Sequence, residues 1–346
     1  MKNGKLQASI LGCGVIGNTH AKAILANSDL VELYAVCDFN LENAIEYQKK
    51  YNAKKIFSDM KEMLKDSNID IVSICTPSGF HLEQAKACAK YKKHVLIEKP
   101  LDINTEKIDR MIEAFQGTDL KAEAVFQYRT YSGIQKAREL IKNGTMGRVL
   151  ISNAYYKQYR SPAYYKSAGW RGTWEIDGGG CTMNQGIHIL DILCYLNDGV
   201  SSLIANTFTQ AREIPVEDTA IAIMTFNNGS VGTYQATTLA NPPVEIKAEL
   251  MCENGRIVFE NENVMLYTEE FPNGQLLGDA LSTVDGKDPS AIKFAGHAAL
   301  IRNLANAILG KEDIMISLTE GRKAVEVICS MYESSRNNGK KIVFNK

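Results

Sequence analysis

The fold of this chain is decided early, by the stretch LQASILGCGVIG at residues 6–17. Its first residues are mostly apolar, as in a buried strand, and three closely spaced glycines follow at once. In a strand–turn–helix unit, the first such glycine permits a tight turn, the second lets a pyrophosphate approach the backbone, and the third lets helix and strand pack closely. The first N–H groups of the helix then face the phosphates. The positions predicted to form this dinucleotide site are Gly12, Gly14, Val15, Ile16 and Gly17.

Short strand-like runs alternate with helix-like runs through the first third of the chain. The strand-like runs are 6–11, 31–37, 69–75, 94–97 and 122–127, and the helix-like runs are 18–26, 41–51, 81–91 and 105–115. This alternation is typical of βαβ units, whose strands form a parallel sheet. We therefore predict an α/β dinucleotide-binding domain of the Rossmann type, with a doubly wound parallel sheet, over residues 1–126.

An acidic residue follows the second predicted strand, about twenty residues beyond the glycines. In this position a carboxylate binds the adenosine ribose hydroxyls of a dinucleotide, and its negative charge repels a 2′-phosphate. The residue is Asp38, and the next two residues, Phe39 and Asn40, supply no arginine that would accept such a phosphate. The sequence therefore favours NAD over NADP as the cofactor.

The pattern changes after residue 126, where β-type runs become more frequent than helical ones. The β-type runs are 149–159, 202–211, 220–226, 231–238, 244–252, 256–259 and 341–344; the helix-like runs are 131–143, 178–196, 295–309 and 319–337; the long loops are 160–177 and 270–290. Asn-Asn-Gly at 227–229 and Glu-Asn-Gly at 253–255 are typical of the turns of antiparallel hairpins. We predict an α+β domain over residues 127–346, built on a large, mostly antiparallel sheet.

Two strands of this second domain, 220–226 and 231–238, carry apolar residues on more than one side. A large apolar sheet face that is exposed to water in a monomer usually forms an interface. We therefore expect a homodimer or a homotetramer that assembles through the sheet of the second domain.

Polar residues follow three further strands of the predicted parallel sheet. Ligands bind outside the carboxyl ends of such strands, so these residues are expected to line the cofactor cleft, although each is also compatible with an ordinary solvated turn. They are Thr76, Pro77 and His81 after the third strand, Glu98 and Lys99 after the fourth, and Gln127 and Arg129 after the fifth. We expect Arg129 to bind substrate oxygens.

The segment GGGCTMNQGIHILD at residues 178–191 joins three glycines to an apolar helix. Asn184 and His188 are four residues apart, so both are expected on one face of that helix, where Asp191 would orient or pair with His188. A buried histidine that is satisfied by a backbone carbonyl is the alternative. The polar neighbours of His188 favour a functional role.

Together these motifs resemble those of the glucose–fructose oxidoreductase / inositol dehydrogenase / MocA family of NAD(P)-dependent dehydrogenases. The resemblance lies in GCGVIGNTH at 12–20, TPSGFH at 76–81, EKP at 98–100 and GGGCTMNQGIHILD at 178–191, and it extends over essentially the whole chain. The resemblance implies an enzyme that transfers a hydride between NAD and a secondary hydroxyl of a sugar, a cyclitol or a sugar derivative.

The resemblance also implies roles for individual residues. In this family the lysine of EKP lies near the nicotinamide and the substrate hydroxyl, which assigns Lys99, and the histidine of the glycine-rich motif acts as acid or base, which assigns His188. A tryptophan–arginine pair approaches the cofactor or the substrate, which assigns Trp170 and Arg171. Many members carry Asp where this chain has Asn184, a substrate ligand that cannot take a proton, so either Lys99 or His188 is left as the base.

Two other functions stay open. Asn184-Gln185 and the stretch WRGTW at 170–174 favour a nucleotide-sugar 3-dehydrogenase that acts on a substrate of the UDP-N-acetylhexosamine type, although no basic cluster in the sequence marks a diphosphate site. A catalytically silent NAD-binding sensor on the same fold would have lost Lys99 or His188, and this chain retains both.

Composition argues against several other classes of protein. The chain has 346 residues with 39 Lys and Arg against 40 Asp and Glu, so it has no basic excess with which to bind nucleic acid. No apolar run approaches the roughly 20 residues that span a bilayer, and we expect no membrane association and no secretory signal. The 8 cysteines form no C-x-x-C pair, so we expect no metal site and a reducing, cytoplasmic setting.

Overall fold

The computed structural model describes residues 4–279 and 293–344, which form two compact units. The first unit comprises the described residues of Met1–Gln127 and Val284–Arg322, and the second comprises those of Tyr128–Thr283 and Lys323–Lys346. A late segment of the chain therefore belongs with the first unit.

The domain limits expected from the sequence, 1–126 and 127–346, stay a prediction. Part of the loop expected at 270–290 lies outside the described residues. The rest of it contains a short strand at Gln275–Leu277, which the polar composition of this stretch did not indicate.

The described residues contain both helices and strands throughout. The strands are β1 (Leu6–Leu11), β2 (Val31–Cys37), β3 (Lys55–Phe57), β4 (Ile71–Ile74), β5 (His94–Ile97), β6 (Ala122–Ala124), β7 (Val149–Lys157), β8 (Val200–Phe208), β9 (Thr219–Phe226), β10 (Val231–Thr237), β11 (Ile246–Cys252), β12 (Gly255–Glu260), β13 (Asn263–Tyr267), β14 (Gln275–Leu277) and β15 (Ile342–Val343). The helices are α1 (Val15–Ala26), α2 (Leu41–Tyr51), α3 (Met60–Lys65), α4 (His81–Lys90), α5 (Thr105–Phe115), α6 (Ser132–Lys142), α7 (Pro162–Lys166), α8 (Ile187–Leu196), α9 (Ala295–Ile308) and α10 (Leu318–Arg336). None of the helices within the described ranges has the length and hydropathy that a bilayer-spanning segment requires.

The first unit is built on a six-stranded sheet in which every neighbouring pair of strands is parallel. The strand order is β3-β2-β1-β4-β5-β6, so the chain winds outward from β1 on one side and then crosses over to wind outward on the other. All residues of β1 are buried, as expected for a central strand that is covered on both faces. This confirms the doubly wound parallel sheet.

Two elements of the first unit were not predicted, and one predicted strand is shorter than expected. The strand β3 has 3 residues and the helix α3 has 6, which is too few for a periodic apolar signal to emerge. The strand expected at 122–127 ends at Ala124, because Gln127–Thr130 turns into a 3₁₀ helix.

The second unit is built on a nine-stranded sheet in the order β14-β13-β12-β11-β7-β10-β9-β8-β15. The pair of β7 and β10 is parallel, and the other neighbouring pairs are antiparallel, which confirms the mostly antiparallel sheet. The turns at 227–229 and 253–255 join β9 to β10 and β11 to β12, as predicted. The strand expected near the end of the chain is β15, which pairs with β8 at the edge.

Two predictions for the second unit need correction. The helix expected at 178–196 starts later, with a π-helical turn over Cys181–Gly186 that continues into α8. The loop expected at 160–177 contains the short helix α7. The side chain of Ser161 accepts a hydrogen bond from the N–H of Tyr164 to cap it, and a proline follows at the first helical position.

One face of the nine-stranded sheet carries a row of exposed apolar side chains. On β9 and β10 buried residues alternate with less buried ones, as in a sheet that packs a core on one face only. The exposed apolar residues of this face are Ile151, Ile204, Phe208, Ile221, Ile223, Val231 and Met251. The register places Ile204 opposite Ile223, and Ile151 between Val231 and Met251. Between β9 and β10, threonines lie opposite Ile223 and Val231, so the row consists of two apolar groups on the same face.

Candidate functional site

The glycine turn between β1 and α1 is tightly packed at Gly12 and Gly17 and open at Gly14. At Gly12 φ is +102°, and an added Cβ would lie 2.8 Å from the carbonyl oxygen of Cys75. A Cβ on Gly17 would lie 2.5 Å from the carbonyl oxygen of Gly12, so neither position admits a side chain. Gly14 has nothing within 4 Å of the place its Cβ would occupy. The turn therefore leaves the space that a pyrophosphate needs, which fits a bound dinucleotide.

The carboxylate of Asp38 is fixed beside this turn. Its Oδ2 accepts a hydrogen bond from the N–H of Cys13 at 2.8 Å, and its Oδ1 accepts one from the N–H of Asn40 at 2.9 Å. These two backbone bonds anchor the side chain at the end of β2. A negative charge thus stands at the position where a dinucleotide presents its adenosine ribose.

Glu98 lies buried just after β5, and its two oxygens have different partners. Oε1 lies 2.9 Å from Nε2 of His20 and 3.1 Å from Nε2 of His297. Oε2 accepts a hydrogen bond from the backbone N–H of Lys99 at 3.1 Å. We name His20, Glu98 and His297 the histidine clamp. The clamp connects α1, which follows the glycine turn, to the residue that precedes Lys99.

The three side chains of the histidine clamp also qualify as metal ligands by distance, since their donor atoms lie within 4.8 Å of one another. However, the Nδ1 atoms of both histidines are buried and have no hydrogen-bond partner among residues 4–279 and 293–344. A metal-bound histidine normally donates its other N–H to an acceptor, whereas a bare Nδ1 fits a neutral ring that donates from Nε2. The geometry therefore favours a hydrogen-bonded cluster over a metal site.

The charges of the histidine clamp agree with this assignment. Burial lowers the pKa of His20, which keeps the ring neutral near pH 7. Burial acts to raise the pKa of Glu98, but the hydrogen bonds to the two histidines outweigh it and hold that pKa well below its usual range. Glu98 is thus an anion held by two imidazole rings.

His81 joins two loops of the predicted cofactor cleft. Its Nδ1 lies 3.0 Å from the carbonyl oxygen of Pro100, and its Nε2 lies 2.9 Å from that of Thr76. The hydroxyl of Thr76 in turn donates to Oε1 of Gln84 at 2.6 Å. These contacts hold the loop that follows β4 against the loop that follows β5. Pro77 lies between Thr76 and His81 in the first of these loops.

In the second unit, the buried side chain of Glu217 holds the start of the π-helical turn. Its Oε2 accepts from the N–H of Gly180 and its Oε1 from the N–H of Thr182, both at 2.9 Å. The hydroxyl of Tyr332 donates to Oε1 at 2.9 Å, and burial raises the pKa of Glu217. The backbone oxygen of Glu217 accepts from the N–H of Cys181 at 3.0 Å. The glycines before Cys181 stay outside the helix because Glu217 binds the chain at this point.

Asn184 has a carboxylate beside it. Its Nδ2 donates to Oδ1 of Asp177 at 2.6 Å, and Oδ2 of Asp177 accepts from the N–H of Gly172 at 2.8 Å. Asp177 is buried. This hydrogen bond fixes the orientation of the Asn184 amide. It also places the carboxylate of Asp177 next to Asn184, whose own side chain is uncharged.

His188 is half-buried, with its ring centroid 5.4 Å from that of Tyr128. Asp191, which the sequence suggests as its partner, forms a bidentate ion pair with Arg129. The contacts are 2.6 Å from Nη2 to Oδ1 and 2.9 Å from Nε to Oδ2. Arg129 is buried and also lies over the ring of Tyr195. The charge of its guanidinium is thus balanced within the protein, and its assignment to substrate stays a prediction.

The structure divides the predicted site residues between the two units. Gly12–Gly17, Asp38, Thr76–His81, Glu98, Lys99 and Gln127 belong to the first unit, where they follow carboxyl ends of parallel strands in one sheet. Arg129, Trp170, Arg171, Asn184 and His188 belong to the second unit. Their assignments as ligand-binding or catalytic residues stay predictions.

Sequence reasoning missed the two carboxylates that organise the second group, Asp177 and Glu217. The one available signal was the acidic pair Glu217-Asp218 immediately before an apolar strand. Nothing in the sequence relates that pair to Gly180, which lies 37 positions earlier.

Comparison with known proteins gives matches to two family models. Residues 6–125 match the model described as oxidoreductase family, NAD-binding Rossmann fold. Residues 134–258 match the model described as GFO/IDH/MocA C-terminal domain. The two matches together cover well over half of the chain.

Individual relatives agree with these matches. The chain is 28% identical to the myo-inositol 2-dehydrogenase of Thermotoga maritima over 278 residues, which are 77% of this chain and 79% of the relative. It is 28% identical to the D-glucoside 3-dehydrogenase of Escherichia coli over 251 residues, which are 67% of this chain and 70% of the relative. Among solved structures, the WlbA dehydrogenase from Bordetella pertussis in complex with NADH and UDP-GlcNAcA has a TM-score of 0.86 and 29% identity, with 99% of each chain covered.

Proposed function

Because this chain belongs to the GFO/IDH/MocA oxidoreductase family, we propose that it is a dehydrogenase that transfers a hydride between NAD and a secondary hydroxyl of a sugar, a cyclitol or a sugar derivative. The observation that carries this proposal is the glycine turn that is open at Gly14 beside the anchored carboxylate of Asp38. Relatives that match most of the chain are dehydrogenases of inositol and of glucosides.

The residues of this chain divide the work of the reaction. When bound, NAD⁺ would supply the acceptor for the hydride of the carbinol carbon. Asp38 binds the ribose hydroxyls, and the N–H groups at the start of α1 bind the pyrophosphate. A neutral Lys99 accepts the hydroxyl proton directly, whereas a charged Lys99 polarises the oxygen and leaves the proton to His188.

A panel of substrates tests this function. Purified protein is incubated with NAD⁺ and with myo-inositol and its isomers, free hexoses, hexuronates or UDP-N-acetylhexosamines, and NADH absorbance is followed. We expect turnover with at least one free polyol or sugar. NADH binding without turnover of any compound would contradict the proposal and favour the catalytically silent sensor.

Turnover with the nucleotide sugars alone would identify the second candidate, a nucleotide-sugar 3-dehydrogenase. Its support is the likeness to the WlbA dehydrogenase, which is 29% identical to this chain and superposes over 99% of it with a TM-score of 0.86. Asn184-Gln185 and the tryptophan–arginine pair favour the same candidate.

Replacing Asp38 tests the choice of cofactor. We expect Asp38→Asn to lower the ratio of kcat/KM for NAD to that for NADP by about 10- to 100-fold, because the charge that repels a 2′-phosphate is gone while Oδ1 still accepts a hydrogen bond. Asp38→Asn keeps one of the two backbone bonds to Cys13 and Asn40, whereas Asp38→Ala loses both and should raise KM for NAD further. An unchanged ratio in Asp38→Asn would show that Asp38 does not select the cofactor.

The apolar row on the open face of the nine-stranded sheet supports a homodimer or homotetramer. We expect light scattering to give a mass at least twice that of the chain, and Ile223→Glu to dissociate the assembly, because Ile223 is 62% exposed in the isolated chain and lies within the row. A monomeric wild-type protein would exclude this assembly. Matched control variants carry glutamate at Val244, which is equally exposed but outside the row.

The thiols support a reducing compartment. None of the 8 cysteines is in a disulfide bond, and all but Cys329 are buried. We propose a cytoplasmic setting on this basis, since disulfides are rare there.

A further inference from the structure

The arginines of the second unit differ in how their charge is balanced. Four of them pair with carboxylates: Arg129 with Asp191, Arg138 with Asp198, Arg148 with Glu253 and Arg256 with Glu249. Three half-buried arginines, Arg160, Arg171 and Arg212, form no ion pair within the part of the chain that the structure describes. All three lie in or beside the loop that carries Trp170.

Two of these arginines share one aromatic ring. Cζ of Arg160 lies 5.5 Å and Cζ of Arg171 4.4 Å from the ring centroid of Tyr164. Arg171 also stacks on Trp170, at 4.6 Å, and its Nη1 donates to the hydroxyl of Tyr164 at 2.7 Å. Two positive charges are thus held close together by aromatic side chains and not by acids. We name Arg160 and Arg171 the arginine pair.

The arginine pair has donors that the protein does not use. The Nε atoms of both residues are buried and have no hydrogen-bond partner among the residues described. A guanidinium has five N–H donors. Arg160 donates to the carbonyl oxygen of Tyr159 at 2.8 Å and to the hydroxyl of Tyr156 at 3.2 Å, while Arg171 donates to Tyr164. Buried donors without an acceptor are unfavourable, so this arrangement fits a site that is completed by a ligand.

The nearby acids form no ion pair with these arginines within the described residues, and Asp218 accepts only from backbone N–H groups at and beside Arg212 and from Thr219. Asp177 accepts hydrogen bonds from Gly172 and Asn184, and Glu175 and Glu213 are exposed. A third positive charge stands close by, because Nε of Arg212 donates to the carbonyl oxygen of Arg160 at 2.9 Å.

The arginine pair is connected to the predicted substrate residues. The hydroxyl of Tyr164, which accepts from Arg171, also accepts from Nε2 of Gln185 at 3.1 Å. Gln185 is buried, follows Asn184 directly and precedes His188 by one helical turn. A ligand group on the arginine pair would therefore lie next to the segment that is expected to bind the reacting sugar.

We propose that Arg160 and Arg171 form an oxyanion subsite, which holds a carboxylate or a phosphate group of the substrate. A planar guanidinium binds both groups through paired, charge-assisted hydrogen bonds. This inference rests on the proposed dehydrogenase function and narrows its substrate to an anionic sugar. The anion is a sugar carboxylate, a sugar phosphate or the diphosphate of a nucleotide sugar. The sequence shows no basic cluster because Arg160 and Arg171 are separated along the chain and meet at the ring of Tyr164.

Calorimetry in the presence of NADH tests the subsite without requiring turnover. The probes are glucuronate, glucose 6-phosphate, UDP-N-acetylglucosamine and neutral glucose. We expect at least one anionic probe to bind about tenfold or more tightly than glucose, and Arg160→Gln to weaken that probe by about 10- to 100-fold with little change for glucose. The anion that shows this effect identifies the source of the oxyanion.

Arg148→Gln is the matched control, since it removes an arginine charge at a largely exposed position in the same unit. It should leave the binding of every probe unchanged. Arg171→Lys keeps the charge but not the planar fork, and we expect it to weaken the anionic probe by about tenfold. NADH affinity is measured for each variant.

The outcomes separate this inference from the proposed function. Anion binding that depends on the arginine pair, without hydride transfer to NAD⁺, would uphold the subsite and overturn the dehydrogenase. Turnover of a neutral sugar that is unaffected by Arg160→Gln would uphold the dehydrogenase and overturn the subsite. Equal weakening of NADH, glucose and the anions by the arginine variants would also overturn the subsite, because it would place the arginines in a structural or cofactor role.

Discussion

Replacing Lys99 with methionine is expected to lower kcat by roughly 10³-fold, within the range that general acid–base groups contribute. Methionine preserves most of the side-chain volume but neither accepts the hydroxyl proton nor polarises the oxygen. NADH affinity should remain close to that of the wild type, because the glycine turn and Asp38 are untouched. Steady-state kinetics with the best substrate of the panel, together with NADH fluorescence titration, measure both quantities. Lys90→Met, at an exposed position at the end of α4, is the matched control.

The companion variant His188→Gln decides which residue takes the proton. If Lys99 is the base, His188→Gln should lose about tenfold less activity than Lys99→Met, because a glutamine still donates a hydrogen bond to substrate oxygen. If His188 is the base, the two losses should be similar. Near-normal turnover in both Lys99→Met and His188→Ala would show that the catalytic assignment is wrong.

The second large effect concerns Glu123, a fully buried residue of β6. Burial raises the pKa of its carboxyl from 4.5 to about 8, and the nearby charge of Glu312 acts in the same direction. Neither oxygen has a partner of ordinary hydrogen-bond geometry among the described residues, and the backbone groups of Met315 and Ile316 offset the effect of burial only in part. Between about pH 4.5 and pH 8, the carboxyl of Glu123 is therefore protonated in the folded protein and ionised in the unfolded chain.

The sign of the pH dependence follows from linkage. The folded-state pKa lies above the unfolded one, so the folded state binds more protons between about pH 4.5 and pH 8, and the free energy of unfolding falls as the pH rises through this window. We expect Glu123→Gln, which carries no titrating proton, to abolish this fall. At about pH 9 the variant should be more stable than the wild type by on the order of 4 kcal/mol, relative to their difference at about pH 4.

Chemical denaturation of both proteins at the two pH values measures this difference. The test compares the difference in free energy of unfolding between wild type and variant at the two pH values. Any destabilisation by the buried amide that does not depend on pH cancels in this comparison. Glu113→Gln, an exposed carboxyl on α5, is the control and should follow the wild type at both pH values. A wild-type minus variant difference that does not change with pH would show that Glu123 is ionised in the folded protein.

The parts of the fold that the sequence predicts correctly are those with local signals. The strand, glycine turn and helix at residues 6–26 lie next to one another in the chain, and each apolar run of the parallel sheet has the length of a strand. The turns at 227–229 and 253–255 fix their hairpins through glycine-containing turn sequences. Short elements such as β3 gave no such signal.

The parts that the sequence does not predict depend on partners that are distant along the chain. The bidentate ion pair of Asp191 joins it to Arg129, which lies 62 positions earlier, so no local pattern indicates it. Glu217 determines where the helix after Gly180 begins, and only the folded sheet brings the two together. The arginine pair is recognised by the ring of Tyr164 that both residues share and by their Nε donors without a partner among the described residues. Both features arise from packing in the folded chain and have no counterpart in the composition.

The histidine clamp affects when the first unit can finish folding during synthesis of the chain. Ribosomes deliver His20 and Glu98 with the first third of the protein, but His297 follows Glu98 by 199 positions. At translation rates of about 5–20 residues per second, the interval is roughly 10–40 s. During that time the nascent chain offers Glu98 one of its two imidazole donors, and α9, which packs against α1, does not yet exist. The unit whose synthesis starts first therefore completes its core only after almost the whole chain has emerged.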